Sequence, residues 1–185
     1  MKYVKIASIV LVGGIALLFG IGLLLPEWHI ASRTIQLKAP PEAVWKVLTD
    51  YPSMPQWRTE LERVERTEIR EAGATRVIWK ERLKGGNELP LEDLQSEAPR
   101  LLVRRIADPK LPFGGTWKYE LRPAGEGCTV KITESGYVRI PIFRVFARFI
   151  NLSATAEQFL VSLAAKFGEQ PHFTAKPEVQ FIDDM

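Results

Sequence analysis

Between Ile6 and Leu25 the chain runs for 20 residues with one polar side chain, Ser8. As a helix this run is about 30 Å long, the hydrocarbon thickness of a bilayer, so it reads as a single transmembrane helix. A cleaved signal peptide has a shorter apolar core that ends in small residues. Here the end is Leu23-Leu24-Leu25-Pro26-Glu27-Trp28, with no small-x-small site. An uncleaved anchor is expected, with Trp28 at the membrane interface. Lys2, Lys5 and the terminal amine, weighed against Arg33 and Lys38, lean towards a cytoplasmic N-terminus. The expectation is a single-pass cell-membrane protein with its domain outside the cytoplasm. Ala16 and Gly20 have the spacing that lets two spans approach closely, a pair also common by chance in glycine-rich spans.

The rest of the chain, beyond the anchor, is long enough for one hydrophobic core. We divide the chain into tail and anchor at 1–28, one domain at 29–168 and a C-terminal segment at 169–185. That last segment, with Pro171, Pro177 and few apolar residues, is expected to be loose. After residue 28 the charges are 23 basic against 21 acidic, which leaves no footprint for nucleic acid. One cysteine, Cys128, excludes an internal disulfide, and His29 and His172 lie far apart without neighbouring ligands. No metal site and no cofactor are expected.

His29–Lys38 alternates as a strand. Ala39-Pro40-Pro41 stops it, and Val44, Trp45, Val47 and Leu48 then take helical spacing up to Asp50. Pro52 and Pro55 bracket a short turn or second helix ending at Trp57. From Thr59 to Arg70 the charges alternate in sign, a pattern open to helix or strand. Thr75–Leu83, Leu101–Ile106, Gly115–Leu121 and Thr129–Val138 read as strands joined by short turns, hence an antiparallel sheet. The clearest element runs from Pro141 to about Phe167, with Gly168 as its stop. Val145, Phe149, Leu152, Ala156, Phe159, Leu163 and Phe167 form one apolar stripe, which needs the sheet as partner.

Four segments in this order resemble a known family. They are Ala39-Pro40-Pro41-Glu42-Ala43-Val44-Trp45-Lys46-Val47-Leu48-Thr49-Asp50 with Pro55-Gln56-Trp57, Gly114–Leu121, Thr129–Gly136 and Pro141-Ile142-Phe143-Arg144. The resemblance is to the START-like superfamily, in its SRPBCC polyketide cyclase/dehydrase branch. It implies an α+β helix-grip fold: a curved antiparallel sheet around a long C-terminal helix, with two short helices after the first strand. It also implies that Thr59–Arg70 is a strand, and that a cavity lies between sheet and helix. Function is less constrained, because such folds host carriers, cyclases and proteins without known activity.

Alternation then supplies the candidate lining. From the sheet side come Trp57, Val77, Trp79, Leu83, Trp117, Tyr119, Val130 and Ile132. From the helix come Phe146, Phe149 and Ile150. The same residues fit a filled core equally well. Glu81 shares a face with Val77 and Trp79, and Glu134 shares one with Val130 and Ile132. If those faces point inwards, each is a candidate acid or base, with Tyr119 as proton partner. Pairing with Arg104 or Arg105 is the competing reading, since buried charges are usually paired.

About four residues separate Leu25 from the first strand, a reach of at most ~15 Å. The domain must then sit on the bilayer, and Trp28, Phe143, Arg144 and Arg148 are candidate membrane-surface contacts. Three functions are compatible with the sequence. The preferred one is a non-catalytic binding or transfer domain for a lipid or other hydrophobic small molecule. The others are a metal-free cyclase, dehydratase or isomerase using a pocket Glu, and a protein-interaction domain with a filled core. No particular protein partner is implied.

Overall fold

A computed structural model describes residues 2–71 and 73–183. In α1 (Lys2–Leu23), the first element, every leucine, isoleucine and valine except the half-buried Leu18 is exposed. Among the described residues it is the one helix long and apolar enough to cross a membrane. β1 (Trp28–Leu37) comes next, then α2 (Pro41–Thr49) with Pro41 in its first turn, and a 3₁₀ helix at Tyr51–Gln56. Val44 and Leu48, four residues apart, turn one side of α2 into the core.

Six further strands form the meander: β2 (Leu61–Glu71), β3 (Ala74–Leu83), β4 (Glu88–Glu97), β5 (Leu101–Ile106), β6 (Phe113–Ala124) and β7 (Gly127–Val138). Each pairs antiparallel with its sequence neighbour, and β7 closes back on β1. The helices α3 (Pro141–Ala147) and α4 (Ala154–Lys166) come after β7, then two short strands, β8 (His172–Phe173) and β9 (Glu178–Ile182). The fold is the expected helix-grip type, a curved antiparallel sheet of nine strands among the described residues. α4 lies against it, and Ile35, Leu37, Leu121, Val130, Leu160 and Leu163 form the dry centre.

Three details differ from the sequence reading. The segment 141–167 is two helices rather than one. Asn151 Oδ1 accepts from the Ser153 amide at 3.1 Å and from its hydroxyl at 2.8 Å. This local turn competes with the helical hydrogen bonds and separates α3 from α4. Gly168, at φ 69°, adopts the left-handed conformation that ends α4 where expected.

The C-terminal segment is paired rather than loose. β8 pairs with Ile35–Gln36 and β9 with Trp28–Ser32, so both cover the free edge of β1. The Arg33 guanidinium lies 4.0 Å over the Phe173 ring and donates to the Ala175 carbonyl at 3.1 Å.

β4 is an additional strand that carries Pro90. The Pro90 carbonyl accepts from the Ala107 amide. A strand residue directs its N–H and C=O to the same neighbour, so the missing donor faces the end of β5, where pairing is running out.

The end of α1 is built into the domain. A Cβ on Gly22 would overlap the Pro141 carbonyl. Arg144 donates from Nε to the Val138 carbonyl at 2.8 Å, from Nη2 to the Arg139 carbonyl at 3.0 Å and from Nη1 to the Leu25 carbonyl at 3.5 Å. Its Nη2 also lies 3.2 Å from Glu27 Oε2.

Candidate functional site

The inward faces of β3 to β7 are set by alternation, and they place Trp79, Glu81, Leu91, Arg104, Trp117, Tyr119, Ile132 and Glu134 on the same side of the sheet. Between this wall and the first turns of α4 lies a cavity of about 40 Å³. Glu81, Leu89, Leu91, Trp117, Tyr119 and Ile132 form the sheet side, Arg58 one end, and Thr155, Ala156 and Phe159 the helix side. Thr155 is exposed, which marks the mouth.

Of the expected lining, Trp117, Tyr119 and Ile132 reach this cavity. Trp57 is buried beside it, edge-on to Phe159 with ring centroids 5.4 Å apart. Trp79 and Leu83 pack on the same core, Trp79 against Tyr51 at 4.7 Å. Val130 is fully buried in the dry centre, and Val77 lies half-buried farther along β3. The helix contribution is corrected. Phe146, Phe149 and Ile150 are 53%, 83% and 63% exposed. They lie on α3 and the segment after it, which the break at Asn151 separates from the helix over the cavity. Phe159 and Ala156 of α4 take the role assigned to them.

Glu81 is the centre of an ion network. Arg58 Nη1 donates to its Oε2 at 2.8 Å, and Arg104 Nη1 donates to its Oε1 at 2.9 Å. Arg104 Nε reaches Asp93 Oδ1 at 3.0 Å, and the Tyr51 hydroxyl donates to Asp93 Oδ2 at 2.8 Å. Burial alone would raise the Glu81 carboxyl, but the Arg58 and Arg104 guanidiniums override it and hold the group below the usual carboxylate range. Burial pushes the Tyr119 phenol up to about 12, against the pull of Arg104. At neutral pH the cavity thus has a fixed anion and a neutral phenol on one wall. Arg105 points to the opposite face of the sheet, where it and Arg76 share Glu92.

Glu134 has different partners. The Trp117 indole N–H donates to its Oε2 at 2.9 Å, and His29 Nε2 lies 3.6 Å from its Oε1. Reading the sequence alone missed Arg58, His29 and Leu89 as neighbours of the acids. Arg58 comes after the 3₁₀ helix in an irregular stretch, where no periodicity assigns a face. Among the described residues no group of three or more His, Cys, Asp or Glu side chains could hold a metal ion.

Residues 29–168 match the family model described as polyketide cyclase / dehydrase and lipid transport. A search of curated proteins finds no match. Among solved structures, a START superfamily protein from Mycobacterium smegmatis superposes with a TM-score of 0.58 at 14% identity, covering 75% of this chain and 96% of that one. Norcoclaurine synthase from Thalictrum flavum, in complex with dopamine and hydroxybenzaldehyde, gives 0.60 at 12% identity, covering 80% and 90%. A di-domain ARO/CYC from the steffimycin biosynthetic pathway gives 0.57 at 14% identity, covering 75% and 50%. At these identities the likeness is one of fold.

Proposed function

The chain belongs to the polyketide cyclase/dehydrase and lipid transport family, whose fold is of the hydrophobic-ligand-binding or cyclase type, and from that premise we propose a membrane-anchored domain that binds or transfers a hydrophobic small molecule. The observation that carries this reading is where the cavity lies. Trp117 in its wall bonds Glu134, which pairs with Ala31, three residues into β1. α1 ends at Leu23, five residues before β1 begins. The cavity wall is therefore level with Ala31 to Arg33 of β1, within ten residues of the end of α1. With α1 in a bilayer, an apolar molecule reaches the cavity without a long passage through water. The built-in contacts of Gly22 and Arg144 favour retention of α1 over its removal as a leader.

Size adds a condition. Pockets for drug-sized ligands hold about 300–1,000 Å³, whereas about 40 Å³ is close to the share of one water molecule. Ligand entry must then widen the space between the sheet and α4. If the open form were about 1% populated, the apparent affinity would fall roughly 100-fold below the intrinsic one.

The test is native mass spectrometry on the full chain in detergent, which should release a co-purifying apolar molecule. Ala156 is 2% exposed and lines the cavity, so Ala156→Leu fills the space at an overpacking cost of about 1–3 kcal/mol and should abolish the adduct. A wild-type chain that carries nothing, and takes up nothing from mixed lipid vesicles, would overturn the reading.

Binding is favoured over catalysis because a general acid or base works best with a pKa near the operating pH. Glu81 is held below that range and Tyr119 above it.

A further inference from the structure

We propose that α3 is a second membrane element, an interfacial helix whose phenylalanine face is immersed in the bilayer beside the end of α1. This rests on the reading of α1 as an anchor. Phe143, Phe146, Phe149 and Ile150 are 51%, 53%, 83% and 63% exposed, and Leu23 and Leu24, at the end of the helix on which α3 packs, are exposed as well. Soluble surfaces rarely leave so many large apolar side chains together in water. The occupant of this patch is set by its neighbour. α3 packs on α1, with the Pro141 carbonyl against Gly22.

Depth is given by helix geometry. Gly22 lies three residues inside the end of the apolar run, about 5 Å along the axis. Helices that lie in the plane of a membrane sink roughly 5–10 Å into the boundary between headgroups and acyl chains. The start of α3 is therefore at the level such a helix occupies.

Arg144 is reassigned by this geometry. It does not reach outward to headgroups. It ties the Val138, Arg139 and Leu25 carbonyls and Glu27 together, and so fixes α3 against the end of α1. Arg148 is also engaged, with its guanidinium 3.6 Å over the Phe181 ring. Immersion is left to the aromatic and aliphatic side chains. The segment after α3 leads directly into Thr155 and Ala156 at the cavity mouth, so an immersed α3 holds that mouth at the lipid surface.

The test uses the full chain in phosphatidylcholine vesicles, with an environment-sensitive fluorophore on single introduced cysteines. Cys128 is buried and its thiol is pushed up to about 11 by that burial, so it stays unlabelled. Labels go on Phe149→Cys, on Leu17→Cys in the middle of α1 and on Glu126→Cys in the exposed turn between β6 and β7. Lipids brominated near the headgroup should quench the label at 149, and lipids brominated deep in the chain the label at 17. Neither should quench the label at 126. Adding Arg144→Ala should remove the quenching at 149 and leave that at 17. An unquenched 149 beside a quenched 17 would overturn the proposal and leave the anchor standing. An unquenched 17 would overturn both.

Discussion

Glu81→Gln should lower the folding stability of the full chain by about 3–5 kcal/mol, the cost of breaking a buried ion pair by removing one partner. Glutamine has the shape of glutamate, so no cavity forms and the loss is electrostatic. Glu81 is 3% exposed and Arg104 2% exposed, and the carboxylate receives one guanidinium on each oxygen. Without it, Arg58 retains Glu60 and Arg104 retains Asp93, both nearer to solvent. The Arg104 Nη2 is already buried without a hydrogen-bond partner, and the glutamine NH2 would face a second donor, the Nη1 of either Arg104 or Arg58. Urea titration in mild detergent, followed by tryptophan fluorescence, measures the change. A loss under about 1 kcal/mol, the range of an exposed pair, would show that the network is solvated and that the inward face of β3 is misassigned.

The same group predicts a pH dependence. The folded carboxyl of Glu81 is held below its unfolded value, so its stabilising contribution is complete above the ordinary carboxylate range. It is lost as the pH falls through the depressed folded value. Wild-type stability should therefore drop on acidification below about pH 5, and Glu81→Gln should show a flatter acid limb. An identical acid limb in both proteins would mean that other carboxylates account for the loss.

Sequence patterns revealed the parts of this protein whose side chains repeat along one element. Ile6–Leu25 was legible because nothing but Ser8 interrupts it, and the inward set of Trp79 and Glu81 because a strand alternates with period two. β2 was ambiguous for a physical reason. Its pairs, Arg63 with Glu65 and Arg66 with Glu68, are two residues apart along one strand, yet the same alternation also offers charges four apart to a helix. The resemblance settled what periodicity alone did not. The helix break was hidden because Phe146, Phe149 and Ile150 continue the apolar spacing of α4, although they face out of the domain. Only the Asn151–Ser153 turn separates the two, and a two-residue signal of that kind is common in loops. Arg58, the missing partner of Glu81, depends on how the chain leaves the 3₁₀ helix, which is a tertiary fact.

Deleting residues 169–185 should convert the protein from a discrete species into one that self-associates, with only a modest loss of stability. β8 and β9 align with β1 at seven positions, each worth about 0.5–1.5 kcal/mol as a hydrogen bond. Ordering the residues that make them costs about 1–2 kcal/mol apiece, so the pairing alone contributes little net energy. Its effect is to close an edge. The opposite edge, β2, carries six charged residues between Glu62 and Arg70, which discourage another strand from docking. β1 carries one formally charged residue, Arg33, among Trp28, Ile30, Ala31 and Ile35, and nothing in its own sequence guards it. Removal of the tail would also take Phe173 from Arg33 and Phe181 from Arg148. Light scattering in the same detergent should show a larger particle for the truncated chain, and hydrogen exchange should show faster exchange at Trp28–Ser32 as long as it remains monomeric. If particle size and β1 protection both match the intact chain, the C-terminal strands do not guard this edge, and β1 is held by β7 and α4 alone.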